Sequence, residues 1–283
     1  MPRHWRWLVP YLFLIPGGLW LLAFFVVPML VMASVSLQEG SLGTGYSLTW
    51  NFGIYPETIQ HWAPQFARSL WYSLVVTALT LAIGYPMAYT IAFRGGRYKN
   101  MLLLLVILPF FTAYIIRTLS WKLILADNGV VLGALKDGGI LDAGFRLIAT
   151  PVAVISGLTY NFLPFMVLPL YVALEKVDPK LVEAATDLYA SRLHAFLRVT
   201  LPLSMPGVFA GSLLTFIPSI GDFINSEILG SRDTTMIGQI IQRLFLNNNA
   251  YPEAAALGFT LMAAVLAMIF VYARAVGADE LTR

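Results

Sequence analysis

The chain reads as an all-α integral membrane protein with six membrane-spanning helices. Three observations carry that reading. Hydrophobic residues make up 58% of its 283 positions and charged residues only 12%, roughly half the charged share of a soluble domain. Six stretches free of charged side chains approach or exceed the roughly 20 apolar residues that a helix needs to cross lipid. Between the fourth and the fifth lies a charged, helix-forming stretch, Leu181–Pro206, which must face water.

The first span is Leu8–Leu37. Arg3 and Arg6 precede it as in a secretory signal, but the apolar core of such a signal runs only roughly 7–15 residues, so a retained span is expected. Ser69–Phe93 is the second. The third, Asn100–Ile116, is short and reaches about Ser120 if Arg117 snorkels its guanidinium to the interface. Leu147–Leu174, Val199–Gly221 and Ala254–Tyr272 complete the set as a single transmembrane domain. Pro28, Pro86, Pro109, Pro164 and Pro169 fall inside spans, where neighbouring helices re-satisfy the freed backbone groups.

Lysine and arginine set the orientation. With the N-terminus inside, the inner segments hold 11 of the 18 basic residues and the longer outer segments the remainder. Both termini, and the polar loop at about 175–198, are therefore expected in the cytoplasm. The outer loops carry Trp50, Phe52, Tyr55 and Trp62, which suit interfacial anchoring or a docking surface for an extracytoplasmic partner.

Composition also excludes. A net charge of +3 with no basic cluster gives no nucleic-acid footprint. The absence of cysteine removes disulfides and thiolate chemistry, and His4, His61 and His194 lack metal-ligand spacing. No nucleophile–base set and no His-Glu-x-x-His stands in a span, so no catalytic or metal residue is assigned and an intramembrane enzyme is disfavoured. A channel or secondary transporter would show internal pseudo-symmetry, and none is visible.

Within the polar stretch, Asp178-Pro179 is a helix start: a capping side chain followed by proline at the first helical position. Leu181, Ala184, Ala185 and Leu188 recur at helical spacing and form an apolar face. A second short amphipathic helix lies around Arg192–Leu197, and at Leu201-Pro202 the chain is expected to turn into the bilayer. Periodicity leaves two readings of such a helix open: it lies on the lipid surface, or it meets a soluble partner.

The spacing Glu183-Ala184-Ala185, three residues, Tyr189, nine residues, Val199, Thr200, Leu201-Pro202 resembles the EAA loop of the permease subunits of bacterial ABC importers. The family normally has glycine where Tyr189 stands. Glycine enters positive φ without strain, so tyrosine implies a shifted or strained turn. Leu102–Pro109 with Ile116-Arg117 and Trp121, the run Leu163–Pro169 with Tyr160 and Tyr171, and Phe216-Ile217-Pro218 with Gly221-Asp222-Phe223 and Glu227–Gly230 are similar to putrescine/spermidine importer permeases in particular.

The resemblance implies a type I ABC importer permease (MetI-like) fold in the bacterial inner membrane. It implies a coupling helix, with Glu183, Ala184, Ala185, Asp187, Tyr189, Leu201 and Pro202 contacting a dimeric cytoplasmic ATPase. That ATPase would bind ATP and Mg, because this chain has no Gly-x-x-x-x-Gly-Lys-Ser/Thr loop and needs no cofactor of its own. The remaining implied partners are a second, related but non-identical permease chain, a periplasmic substrate-binding protein and membrane lipid. The substrate would be a polyamine. The same machinery also serves amino-acid derivatives, opines, phosphonates and ferric ion.

Asp222 and Glu227 stand at the outer end of the fifth span. Carboxylates at membrane depth mark a path or a partner, and aromatic faces suit cations, so Asp222, Glu227, Tyr160, Trp121 and Tyr171 are candidate path residues. The competing reading pairs the carboxylates with Arg117, Arg232 or Arg243 and makes Trp121 and Tyr171 interfacial anchors.

Overall fold

The computed structural model describes residues 8–142 and 144–276. Arg3, Arg6 and Arg283 of the charge count, and His4, lie outside the described residues. Contacts divide the chain into two units: Met1–Trp62 with Ile241–Ala264, and Ala63–Ile240 with Val265–Arg283.

In the smaller unit, α1 (Leu8–Leu21) and α2 (Val27–Ser36) run on through a π-turn at Leu22–Val26. Proline at position 28 explains that turn. Its ring would collide with the carbonyl four residues back, and the widened turn, with Val27 N–H bonded to the Leu22 carbonyl, relieves the clash. Within the apolar span Phe13–Ser36 only Ser36, at its end, is buried within the chain. A hairpin follows, β1 (Gln38–Ser41) antiparallel to β2 (Gly45–Leu48), with Gln38 opposite Leu48.

The helix α3 (Ile54–Arg94) has 41 residues and spans about 60 Å at 1.5 Å per residue, twice the hydrocarbon thickness. The expected span Ser69–Phe93 is its C-terminal part. The earlier turns carry Glu57, Gln60, His61 and Gln65, so hydropathy alone does not register them. Within the same unit as these first turns, the Trp62 indole N–H donates to Glu253 Oε1 at 2.8 Å.

In the larger unit the third span is broken. The helix α4 (Lys99–Ile107) tightens into a 3₁₀ turn, Leu108–Phe111, and α5 (Tyr114–Leu125) leaves it at a bend of 94°. Pro109 has no N–H to continue the ladder, its carbonyl takes the Thr112 N–H at 3.1 Å, and Thr112 is extended. This corrects the reading of Arg117. It does not snorkel to an interface; the bend carries it back into protein, where it is 7% exposed.

After α6 (Val130–Asp137), the helix α7 (Pro151–Glu175) forms the spine of the unit. Two clusters line it: Tyr72, Val76, Leu158 and Phe162 at one end, and Ala88, Ile91, Met166, Leu170 and Leu174 at the other. The polar stretch after it holds α8 (Pro179–Asp187) and α9 (Arg192–Ala195), and α10 (Leu201–Ile220) is the fifth span. A Cβ on Gly207 would stand 2.5 Å from the Ala173 Cβ, so α10 and α7 meet nearly backbone to backbone. The expected turn into the bilayer at Leu201-Pro202 is absent. Arg192–Ile220 is one helix of 29 residues, with a π-turn at Phe196–Thr200 absorbing Pro202 as Leu22–Val26 absorbs Pro28. The short α11 (Ile224–Leu229), then α12 (Ile237–Leu246) and α13 (Tyr251–Val276), complete the chain.

Candidate functional site

Two places gather the residues singled out above: a polar cluster where spans three, four and five meet, and the polar stretch around α8.

The helix α5 is amphipathic in an inverted sense. Tyr114, Arg117, Thr118, Trp121 and Leu125, at spacings of three and four, turn inward, while Ile115, Ile116, Leu119 and Leu123 are 44–72% exposed. An apolar outer face and a polar inner one suit lipid outside and a polar interior. Opposite stands α7 with Asn161, fully buried. From the exit of α10 come Asp222, 9% exposed, and Asn225. The approach depends on Gly157 of α7, where a Cβ would lie 2.4 Å from Leu229 Cδ1 and 2.7 Å from Asn225 Oδ1.

One hydrogen-bond network joins these helices. The Tyr114 hydroxyl donates to Asp222 Oδ2 at 2.5 Å. Asp222 Oδ1 accepts the backbone N–H of Asn225 at 2.8 Å and its Nδ2 at 3.2 Å. Asn225 Nδ2 also donates to the Tyr114 hydroxyl oxygen at 2.6 Å. Asn161 Nδ2 reaches Thr118 Oγ1 at 3.2 Å and Asn225 Oδ1 at 3.3 Å. Asp222 takes part in no salt bridge among the described residues, so the pairing with an arginine is not formed.

Around the cluster run aromatic rings. Tyr114 and Phe162 centroids lie 6.2 Å apart, Phe162 and Phe165 6.0 Å, and Phe165 and Phe110 5.1 Å. The Arg117 guanidinium sits 5.3 Å from the Phe110 centroid and 5.4 Å from that of Tyr114. Among the described residues, its buried Nε and Nη1 find no acceptor and Asn161 Oδ1 no donor.

The other path candidates stand apart from Asp222. Trp121 and Tyr160 pair with each other at 5.5 Å, linking α5 to α7. Glu227 accepts from Gln239 Nε2, and Ser226 donates to Gln239 Oε1 at 2.7 Å, so Glu227 braces α11 against the start of α12. Tyr171 lies about 16 Å along α7 from Tyr160 by helical rise. It faces Lys99, whose ammonium is 5.3 Å from its ring and 2.7 Å from Glu175 Oε1. The residues that join Asp222 are Tyr114, Thr118, Asn161 and Asn225, none of them singled out from sequence. Asn161 left a signal: no other amide or charged side chain interrupts Leu147–Leu174.

In the polar stretch, Asp178 Oδ1 accepts the Lys180 N–H at 2.9 Å and caps α8, with Pro179 at the first position. Glu183, Ala184 and Asp187 are exposed and Ala185 is half-buried. Of the apolar face, Leu181 is 49% and Leu188 82% exposed, so this chain leaves it uncovered. The helix closes with paired bonds, Ala190 N–H to the Ala185 carbonyl at 3.1 Å and Tyr189 N–H to that of Thr186 at 3.0 Å. This closure needs a left-handed residue after the cap, and Tyr189 takes it with φ +63° while fully exposed. The turn is thus kept in place and strained. Ser191 then caps α9 through the His194 N–H. Phe196 stands edge-on to Tyr85 and Tyr89 at 5.6 and 6.1 Å, and the Tyr85 hydroxyl meets Ser204 Oγ at 2.7 Å. These contacts tie the root of α10, with Leu201 half-buried and Pro202 exposed, to α3.

Comparison with known proteins agrees with this architecture. The family described as binding-protein-dependent transport system inner membrane component matches residues 80–277. The spermidine/putrescine transport system permease protein PotB of Haemophilus influenzae is 40% identical over 268 residues, covering 90% of each chain. That of Escherichia coli is 36% identical over 257 residues, covering 90% of this chain and 94% of its own. A crystal structure of a bacterial ABC transporter involved in the import of the acidic polysaccharide alginate shares the fold at a TM-score of 0.72 and 21% identity, over 96% of this chain and 97% of its own. With that fold, several helices able to cross a membrane and a family match over most of its length, this chain belongs to the binding-protein-dependent transport system inner membrane components.

Proposed function

We propose that this chain is the permease subunit of an ABC importer that takes up a polyamine of the putrescine or spermidine kind across the bacterial inner membrane. The similarity to spermidine/putrescine permeases over 90% of the chain carries the reading. The Asp222 cluster supports it. A carboxylate beside a chain of aromatic rings offers an alkylammonium both charge and ring faces. Asp222 is the anion, Tyr114 and Asn225 hold it in place, and Phe110, Phe162 and Phe165 supply the apolar wall for the methylenes between amino groups.

The exposed α8 with Tyr189 is the surface offered to a cytoplasmic ATPase, which binds and hydrolyses ATP in a chain of its own. Both termini of this chain lie on that side. A second, related permease chain completes the path, and a periplasmic binding protein delivers the substrate. Motion entering at α8 reaches the path through the π-turn at Phe196–Thr200 and the closely packed α10–α7 pair. A bistable path biased by nucleotide on one side and loaded receptor on the other then alternates its opening.

The test is polyamine uptake by vesicles carrying the full complex with receptor and ATP. Asp222→Asn should lower uptake at least about tenfold, the scale of a lost charge-assisted contact, and Glu227→Gln should lower it far less. Unchanged uptake in Asp222→Asn removes the path assignment.

A further inference from the structure

The Arg117 side chain is a buried cation with aromatic faces on two sides and, among the described residues, no acceptor for Nε or Nη1. A guanidinium taken out of water normally recovers its hydration through hydrogen bonds. Here the rings of Phe110 and Tyr114 do part of that work. The bend builds the enclosure. Phe110 lies in the 3₁₀ turn before Thr112-Ala113, Tyr114 opens α5 after it, and the 94° angle between the two helical parts leaves Arg117 facing both rings. One of those rings carries the hydroxyl that donates to Asp222.

Two aromatic faces with a carboxylate one tyrosine away are what an alkylammonium seeks. The chain fills that enclosure with a cation of its own. We propose that Arg117 is a resident stand-in for the substrate's ammonium, a plug that an incoming polycation displaces and that a single-charged cation does not. This rests on the reading of the Asp222 cluster as the substrate path.

Displacement forfeits no hydrogen bond from Nε or Nη1 to a described residue; what it gives up is the contact with the two rings, which an incoming ammonium takes over. A monovalent ion or a monoamine replaces one positive charge by one and gains nothing further. A polyamine places one ammonium between the rings and a second at Asp222, several methylenes along the same chain. Arg117 thereby sets specificity for multiply charged chains and seals the path against small cations between turnovers.

The test uses the complete complex with Arg117→Gln and Arg117→Met, which keep length without charge, and Arg117→Lys, which keeps charge. Spermidine binding to the purified complex without receptor is measured by competition, and rubidium leak by flux from reconstituted vesicles. The neutral variants are expected to bind spermidine about tenfold more tightly, the scale of a desolvated cation–π pair, and to leak rubidium. Arg117→Lys should stay sealed. Neutral variants that assemble yet bind no tighter and do not leak would overturn the proposal and make Arg117 a structural brace. If neither assembles, Phe110→Leu removes one ring from around the guanidinium; leak there supports the plug and a sealed path rejects it. Should Asp222→Asn lose uptake while the Arg117 variants gain nothing, the plug fails and the path stands. Should Asp222→Asn keep wild-type uptake, the path itself is wrong.

Discussion

The hydroxyl of Tyr114 and the carboxylate of Asp222 meet at 2.5 Å, although 108 residues separate them along the chain. This bond closes the broken third span onto the exit of the fifth. Tyr114 also accepts from Asn225, so it holds both the anion and the first turn of α11.

Tyr114→Phe should leave a buried carboxylate with one donor fewer. A hydrogen bond to a charged group is worth about 1.5–3 kcal/mol, so thermal unfolding of the detergent-solubilised complex should show a loss of that order. Polyamine uptake should fall with it. Tyr55→Phe, which removes a hydroxyl bonded to Ser36 at 2.8 Å in the other unit, should leave uptake near wild type.

Gly157→Ala should cost about 1–3 kcal/mol, the range for overpacking, because its Cβ would overlap Leu229 and Asn225. The displaced Asn225 would release Asp222 and reduce uptake. Gly258→Ala meets nothing within 4 Å and serves as the control in the same stability and uptake assays.

Tyr189→Gly should stabilise the coupling turn. A non-glycine residue in the left-handed region costs about 1–2 kcal/mol, and glycine does not bear that cost. Tyr189→Val, β-branched, should destabilise it further. Hydrogen exchange of the backbone around residues 185–190 reads both effects, with protection rising for glycine and falling for valine. If the exposed ring contacts the ATPase, Tyr189→Gly should also weaken receptor-stimulated ATP hydrolysis even as the turn grows more stable.

Glu183→Lys should uncouple. The residue is exposed on α8 and makes no side-chain hydrogen bond to this chain among the described residues, so the permease should still fold and insert. ATP hydrolysis by the assembled complex should then lose its response to loaded receptor. Wild-type stimulation in that variant would remove α8 as the coupling surface.

How much of this was legible beforehand follows from the range of each interaction. Hydropathy sums over about twenty neighbours, so the helical membrane fold could be read along the chain. Capping is equally local: Asp178 and Pro179 announced the start of α8, and Tyr189 announced a strained turn because left-handed φ is a property of one residue and its hydrogen-bonded neighbours. The first turns of α3 escaped because they are polar, and helices outside lipid need no apolar run.

The polar cluster escaped for a different reason. Asp222 stood out as a charge beside a span, but Tyr114, Thr118, Asn161 and Asn225 are ordinary residues until three helices bring them together. That meeting depends on the 94° bend at Thr112-Ala113 and on the missing side chain at Gly157. The bend also moved Arg117 from an expected interface into a buried ring of aromatics. Composition and local chemistry thus specified a helical membrane protein with a capped polar helix between two spans, since those rest on near neighbours. Which carboxylate faces which tyrosine rests on contacts more than a hundred residues apart, and only packing of the folded helices selects them.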